Sequence, residues 1–215
     1  MADAPLRLYG EPFWISPYVF TCFVALREKG LPFETDVLPL HERAQRAPAY
    51  RDRSITAKVP ALEHDGFWLA ESSAIVEYLE DAFPGARVLP SDFRARARAR
   101  QLQAWIRSAL LALREERPTT TMFYERAATP LSPAGREAAA ELVRVADLVV
   151  PARGGALFGA WCVADADLAF MLHRLLLNDE PVPSRIADWA RAEWERPSVR
   201  AFVTHERPPA GPPPY

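Results

Sequence analysis

Ser16 is the residue whose position points most directly to chemistry. The segment Ser16-Pro17-Tyr18-Val19 follows a short apolar strand pattern and opens a helix pattern. A Cys-x-x-Cys pair at such a helix start would be a redox site, because a helix N-terminus stabilises a thiolate. Here Ser16 and Val19 hold the two cysteine positions. The Ser16 hydroxyl can instead donate a hydrogen bond to a thiolate on a small molecule. The simpler interpretation is a helix N-cap before Pro17, and the two roles are compatible.

A second candidate is the Val59-Pro60 pair, just before a predicted hairpin. Only about 5–6% of X–Pro bonds in folded proteins are cis, and a trans proline at a strand start is the ordinary alternative. A cis bond would turn the N–H and C=O groups of Val59 outward. Those groups could then pair with a peptide-like ligand as a short added strand.

The third candidate is Glu71-Ser72-Ser73, between a strand pattern and a helix pattern. Taken alone, it is a helix start with a choice of caps. As a binding segment, Ser72 and the backbone N–H groups of the helix start would hold a carboxylate, while Glu71 would accept from an ammonium group. A free amino-acid end presents both groups on one carbon.

The elements that must position these segments follow a β-α-β-α-β-β-α order over the first 84 residues. A strand–helix–strand start favours a parallel strand pair, and the hairpin adds an antiparallel strand. The predicted strands span 6–9, 33–37, 61–64 and 67–69, and the predicted helices span 17–29, 41–50 (the weakest) and 72–81.

Beyond Pro90 the strand patterns stop and only helix patterns follow. We predict an α/β domain over 1–84, an all-helical domain over 91–207, and a flexible proline-rich tail over 208–215. The predicted helices of the second domain span 92–117, 132–150, 162–177, 183–195 and 197–205.

Composition excludes several classes of function. The net charge is −2 with both signs mixed along the chain, which argues against a nucleic-acid binder. The alternating arginines of 94–100 spread around a helix and are more simply a solvated helix start than an anion patch. The two cysteines offer neither a disulfide framework nor zinc spacing, so we expect no metal. No apolar run is long enough to span a membrane, no signal peptide is evident, and a cytoplasmic location is expected.

Taken together and in this order, the motifs resemble the cytosolic glutathione S-transferase family. The likeness rests on Ser-Pro-Tyr at a helix start, Val-Pro before a hairpin, then Glu-Ser-Ser-Ala-Ile-Val-Glu-Tyr-Leu, then an all-helical half. It is strongest to the bacterial YfcF-type transferases, and it covers nearly the whole chain apart from the tail. It implies a thioredoxin-like first domain, glutathione as co-substrate, and a homodimer packed through the helix after Asp92 and the first domain.

The resemblance also implies a role for each candidate residue. Ser16 would hydrogen-bond the glutathione sulfur, Val59 would pair with the cysteinyl unit next to a cis Pro60, and Glu71 and Ser72 would hold the γ-glutamyl end. Lys58 would contact the glycine carboxylate, although a flanking lysine is more often only solvated. The activated thiolate would attack an electrophilic carbon or an organic hydroperoxide.

We expect the pocket for this second substrate between the domains. Its candidate walls, for which interdomain packing and helix ion pairs are the alternative, are Phe13, Trp14, Arg114, Arg117 and Tyr124. Tyr9 is a minor rival to Ser16 as the activating hydroxyl. Most members of the family have Ser or Thr three residues before the aspartate that corresponds to Asp165. This chain has Cys162 there, and we expect it to be a poor helix cap. A non-catalytic ligand-binding or interaction module is the alternative to an enzyme, and a disulfide reductase is disfavoured.

Overall fold

The computed structural model describes residues 6–212, which fall into two units. The first unit contains the residues up to Val88 and those from Arg200 on, and the second is Leu89–Val199. The sequence-based division instead assigns the residues from Arg200 to 207 to the helical domain. Residues 208–212 of the predicted tail form no helix or strand, and the remainder of that tail lies outside the described residues.

Aromatic packing explains why the carboxyl-terminal segment belongs with the first unit. The ring of Phe202 is fully buried and lies 5.3–5.6 Å, between ring centroids, from three rings of the first unit. Those rings belong to Trp14, Phe20 and Phe23. A short helix pattern in sequence does not reveal which apolar surface it will cover.

The first unit has the predicted β-α-β-α-β-β-α order around a four-stranded mixed sheet. Its elements are β1 (Leu6–Gly10), α1 (Pro17–Glu28), β2 (Phe33–Val37), two short 3₁₀ turns (Leu40–Glu42 and Ala44–Arg46), α2 (Pro48–Ser54), β3 (Ala61–His64), β4 (Phe67–Ala70) and α3 (Ser72–Ala82). The strand order is β2-β1-β3-β4. As predicted, β1 and β2 are parallel and β3 and β4 form an antiparallel hairpin.

The register of the sheet determines where the connecting segments leave it. Tyr9, near the end of β1, lies opposite Ala61 at the start of β3. Ala61 in turn lies opposite Ala70 at the end of β4. The segments after β1, before β3 and after β4 therefore all leave the sheet at the same edge.

The two faces of the sheet bury different side chains because successive residues of a strand point to opposite faces. Leu8 and Leu62 are fully buried on one face, and Tyr9 points to the other. On that second face the ring of Tyr9 stacks on Trp68 at 4.6 Å and meets the ring of Tyr50 from α2 edge-on at 5.6 Å.

The described part of the second unit contains helices and no strand. Its elements are α4 (Phe93–Ser108), α5 (Leu111–Glu116), α6 (Thr120–Phe123), α7 (Pro133–Val149), α8 (Val163–Leu176), α9 (Ser184–Trp194) and α10 (Pro197–Val203), within which the boundary between the units falls. Helix α8 is buried along almost its whole length and packs at the centre of the unit's apolar core.

The prediction of one helix over 92–117 is wrong, because the chain breaks after Ser108. Leu110 adopts a left-handed conformation (φ 60°) and α5 starts at the next residue. The guanidinium of Arg114 donates to the C=O of Arg107 (2.8 Å) and so adds a side-chain donor to a carbonyl in the last turn of α4. The apolar side chains spaced along this predicted helix, Leu102, Ile106, Leu110 and Leu113, are nevertheless all buried on both sides of the break.

The start of α8 corrects the expectation that Cys162 is a poor cap. The fully buried Asp165 carboxylate accepts from the N–H groups of Leu157 (2.8 Å) and Cys162 (3.0 Å). The Cys162 thiol adds a hydrogen bond to the same carboxylate, at 3.2 Å. Burial raises the pKa of this thiol. Cys162 therefore supports the helix start as a neutral donor.

His173, also on α8, is a buried imidazole whose ring contacts a tryptophan and a backbone carbonyl. It is 3% exposed, its ring stacks on Trp194 at 3.8 Å, and its Nδ1 lies 2.8 Å from the C=O of Ala169. Burial is the main cause that lowers the pKa of His173 to about 4. The folded protein thus keeps this side chain neutral at ordinary pH.

Candidate active site

Ser16 is the N-cap of α1, as its place before Pro17 predicts. Its backbone is extended (φ −68°, ψ 119°) and its Oγ accepts a hydrogen bond from the N–H of Val19 at 3.3 Å. Because the oxygen acts as acceptor in this bond, the hydroxyl proton is left to point elsewhere. Within residues 6–212 that proton has no acceptor, and the side chain is only half-buried. The hydroxyl can therefore donate to an incoming anion.

Gly10 explains how close the end of β1 comes to the first turn of α1. A Cβ atom at Gly10 would lie 3.1 Å from Cγ1 of Val19, tighter than an ordinary contact. The strand end and the helix start therefore pack directly, with only a short loop between them.

Glu11 organises that loop, and sequence reasoning missed it. Its side chain is buried, at 4% exposure. The carboxylate accepts from the N–H groups of Phe13 (2.7 Å), Ile15 (2.7 Å) and Ser16 (3.0 Å). The first turn of α1 holds no acidic residue, so Glu11 supplies negative charge at the helix start from outside the helix. An acid directly after a strand and five residues before a helix cap was the available signal.

Val59 and Pro60 lie at the start of β3, joined by a cis peptide bond. The cis bond expected from the resemblance is thus confirmed. In the described part of the chain, neither the N–H nor the C=O of Val59 takes part in a hydrogen bond, while the C=O of Lys58 accepts from the Tyr50 hydroxyl at 2.7 Å. The Lys58 side chain is exposed. The Val59 backbone can therefore pair with a ligand.

Glu71 and Ser72 lie where β4 passes into α3. Glu71 is the N-cap residue with a positive φ of 69°, its side chain makes no capping bond, and it is exposed. Ser72 is buried, and its C=O lies 3.9 Å from the Cys22 thiol of α1. This contact shows that the start of α3 lies beside the second turn of α1.

Phe13 and Trp14 are both about 7% exposed, which suits packing better than a ligand wall. Trp14 has a positive φ of 49°, and its ring centroid lies 3.9 Å from that of His205, with the two ring planes tilted by 36°. Its C=O accepts from the Arg207 guanidinium at 2.9 Å. The aromatic partners of Trp14, which are Phe23, Phe202 and His205, all belong to the first unit, and its role as a wall stays a prediction.

The three wall candidates of the second unit differ in what they can contact. Arg117 is 3% exposed and forms a buried ion pair with Glu180, so its side chain is committed to the fold. Arg114 is half-buried and bonded to the end of α4 as described above, and Tyr124 is half-buried at the end of α6. For Arg114 and Tyr124 a contact with the second substrate stays a prediction.

Tyr9 is poorly suited to the activating role. Its hydroxyl lies 2.8 Å from the Glu63 carboxylate and donates to it. Burial, with this hydrogen bond, raises the pKa of Tyr9 to about 12. A hydroxyl already bonded to a carboxylate is a weak donor to a second anion, so Ser16 remains the stronger candidate.

The described residues contain neither a metal-binding cluster nor a membrane-spanning helix. Between residues 6 and 212, no cluster of three or more His, Cys, Asp or Glu side chains is arranged to hold a metal ion. None of the helices in the same range combines the length and apolar character needed to cross a bilayer.

Comparison with known families covers both units. Residues 15–82 match the family model described as "Glutathione S-transferase, N-terminal domain", and residues 92–207 match "Glutathione S-transferase, C-terminal domain". These matches confirm the predicted fold class, a thioredoxin-like domain followed by an all-helical one.

Individual relatives agree with the family models. A glutathione transferase homologue from Burkholderia, solved with bound glutathione, is 38% identical with a TM-score of 0.77, covering 94% of this chain and 97% of its own. "Glutathione transferase GST 23" of Zea mays is 38% identical over 101 residues, 46% of this chain and 44% of its own length. "Probable maleylacetoacetate isomerase 2" of Drosophila melanogaster is 32% identical over 103 residues, 47% and 45% of the two lengths. The chain thus spans less than half the length of these two curated relatives. By its two matched domains, the chain belongs to the glutathione S-transferase family.

Proposed function

We propose that this protein is a glutathione transferase that binds glutathione in its first unit and activates the thiol through Ser16. The observation that carries the proposal is the sheet register. It brings the segments holding Ser16, Val59-Pro60 and Glu71-Ser72 to one edge of the sheet. The bound glutathione in the Burkholderia relative supports the choice of ligand.

The spacing of these segments suits a tripeptide. From β1 across β3 to β4 is two interstrand spacings, or roughly 10 Å. An extended chain of three residues spans about the same length. In this arrangement Glu71 and Ser72 bind the amino-acid end of the tripeptide, and the Val59 backbone pairs with the cysteinyl unit. Lys58, the residue before Val59, has an exposed side chain and binds the glycine carboxylate.

The hydrogen bonds at the helix start support the Ser16 hydroxyl as the donor. Glu11 takes the N–H of Ser16, Pro17 has none, and Ser16 Oγ takes that of Val19. The Ser16 hydroxyl proton is therefore the donor proposed to meet the sulfur. A hydrogen bond to a charged group stabilises it by about 1.5–3 kcal/mol.

The proposed second substrate is an electrophilic carbon compound or an organic hydroperoxide. With a hydroperoxide, the thiolate attacks the terminal oxygen, the O–O bond breaks and an alkoxide leaves. A second glutathione then converts the sulfenic acid to the disulfide and water. We further propose a homodimer in a reducing, cytoplasmic compartment, which is compatible with both cysteines being buried and outside any disulfide.

The test combines binding with turnover. Calorimetry is expected to show that the protein binds glutathione, and an activated aryl chloride, an organic hydroperoxide and maleylacetoacetate are then offered as second substrates. Turnover of any of them that requires glutathione supports an enzyme, and the pattern identifies the class. Binding without turnover would support the alternative, a non-catalytic ligand-binding module. Absence of binding would contradict both.

Sedimentation velocity tests the proposed homodimer separately. A species of twice the chain mass of 24.1 kDa is expected. A species that stays monomeric at micromolar concentration would contradict that part of the proposal.

A further inference from the structure

The buried carboxylate of Glu11 is hydrogen-bonded to the backbone of the residue that carries the proposed donor hydroxyl, Ser16. It accepts three N–H groups, and one of them belongs to Ser16 itself. Its own C=O also accepts from the N–H of Trp14, at 3.3 Å. Four N–H groups of the loop from 13 to 16 thus converge on one residue.

The two carboxylate oxygens divide this work. One oxygen, Oε2, takes the N–H of Phe13, while the other, Oε1, takes those of Ile15 and Ser16. Trp14, inside the loop, has a positive φ, a backbone conformation that residues other than glycine rarely adopt. The loop therefore needs a fixed acceptor to hold its conformation, and the Ser16 end depends on Oε1.

We propose that Glu11 is a positioning residue that holds Ser16 in the orientation needed to donate to the glutathione sulfur. This inference rests on the proposed function, and it concerns the same site. Glu11 acts through the backbone of residues 13–16 and does not contact the sulfur. Its contribution is the placement of the Ser16 Cα, from which the hydroxyl reaches the ligand.

The proposal predicts the opposite sign from a simple charge effect. Removing a negative charge near the site would by itself favour a thiolate and lower the thiol pKa. Loss of positioning would instead weaken the Ser16 hydrogen bond and raise the thiol pKa. The direction of the change in Glu11→Gln therefore separates the two explanations.

The first experiment uses the free protein and needs no glutathione. Amide hydrogen exchange of Phe13, Ile15 and Ser16 is measured in the wild type, Glu11→Asp and Glu11→Gln. A shorter aspartate can still accept from the N–H two residues on, so Glu11→Asp is expected to keep protection at Phe13 and lose it at Ile15 and Ser16. Equal protection at all three amides in both variants would overturn the proposal.

The second experiment measures the pKa of the thiol of bound glutathione by thiolate absorbance. Glu11→Gln is expected to raise this pKa toward the value in Ser16→Ala. The double variant is expected to match Ser16→Ala alone, because both changes act on the same hydrogen bond, the one from the Ser16 hydroxyl to the sulfur. If Glu11→Gln does not fold, Glu11→Asp replaces it: this variant keeps the charge, so positioning predicts a raised thiol pKa and a charge effect predicts no change. An unchanged or lower thiol pKa, or additive effects in the double variant, would overturn the proposal.

Glu80→Gln is the matched control, because Glu80 is another buried carboxylate of the first unit and accepts from the N–H of Val88 at 2.9 Å. It is expected to lower the melting temperature without moving the thiol pKa. An equal rise of the thiol pKa in Glu80→Gln would show a merely structural role for Glu11. If wild-type protein leaves the bound thiol at its ordinary pKa, the proposed function fails, and the exchange data still decide whether Glu11 holds Ser16.

Discussion

Replacing Ser16 with alanine isolates the hydrogen bond on which thiol activation depends. An ordinary thiol has a pKa near 8.5, and lowering it by two units needs a preference of roughly 2.7 kcal/mol for the anion. A hydrogen bond to a charged group supplies about 1.5–3 kcal/mol, and the helix end adds about 0.3–1 kcal/mol. Because Glu11 and Ser16 already occupy two N–H groups of this helix start, most of the shift must come from the hydroxyl. Ser16→Ala is therefore expected to raise the pKa of the thiol of bound glutathione by about 1–2.

The same substitution has a separate cost in stability. Loss of a serine N-cap costs about 0.5–2 kcal/mol, and the long Oγ to Val19 distance of 3.3 Å suggests the lower end. The free energy of unfolding, from urea titration, is expected to fall by about 1 kcal/mol, too little to unfold the protein. The thiol pKa is measured on the folded complex and is thus independent of this loss.

The assay is a pH titration of thiolate absorbance in protein saturated with glutathione. Ser16→Thr keeps a hydroxyl at the cap and is expected to retain most of the shift. Ser108→Ala, which removes an exposed hydroxyl bonded to the C=O of Ala104, is the matched control and is expected to behave as the wild type. A thiol pKa that is the same in the wild type and in Ser16→Ala would remove Ser16 from the mechanism.

Three other predictions test neighbouring parts of the account. Glu71→Gln is expected to weaken glutathione binding about 10- to 100-fold, the effect of losing a hydrogen bond to a charged group. Calorimetry measures the affinity, and Glu137→Gln, at an exposed position, is the control. An unchanged affinity in Glu71→Gln would contradict the role of Glu71. Tyr9→Phe is expected to leave the thiol pKa unchanged, since its hydroxyl donates to Glu63; a rise of a unit would restore Tyr9 as the activator. Wild-type protein is expected to lose about 2 kcal/mol more stability than His173→Phe between pH 7 and pH 5, as followed by urea unfolding at each pH; equal losses would contradict a neutral buried His173.

The sign of the His173 prediction follows from linkage. Burial lowers the pKa of His173 from the ordinary 6.5 to about 4 in the folded protein. Between these two pH values the unfolded chain binds the proton and the folded chain does not. The stabilisation is therefore fully present above pH 6.5 and is lost as the pH falls toward 4.

Local patterns in the sequence predicted the elements of the first unit except the second helix, which was expected over 41–50 and is observed as two 3₁₀ turns followed by α2 (Pro48–Ser54). Pro17 after Ser16 placed the start of α1, and the Asp65-Gly66 turn between two apolar runs placed the hairpin. These signals are local, because a proline or a tight turn restricts the backbone in which it lies. The common edge shared by the three candidate segments is seen only in the register of the folded strands.

The features that were not predicted depend on contacts between distant residues. The break at Leu110 contains neither glycine nor proline, and packing of the apolar side chains around it overrides its helix propensity. For Arg117 the sequence leaves a pocket wall and a helix ion pair open, and it cannot identify the partner Glu180, which lies 63 residues further on. The role of Glu11 cannot be predicted from the sequence, because a glutamate in a loop is usually solvated. Only the folded loop turns three N–H groups toward its carboxylate.

A crystal structure of the glutathione complex tests the central claim most directly. We expect the tripeptide along the edge formed by the ends of β1 and β4 and the start of β3, with its sulfur within about 3.5 Å of Ser16 Oγ and its cysteinyl backbone paired with Val59. A complex with the sulfur out of reach of Ser16, or with glutathione bound away from this edge, would contradict the account.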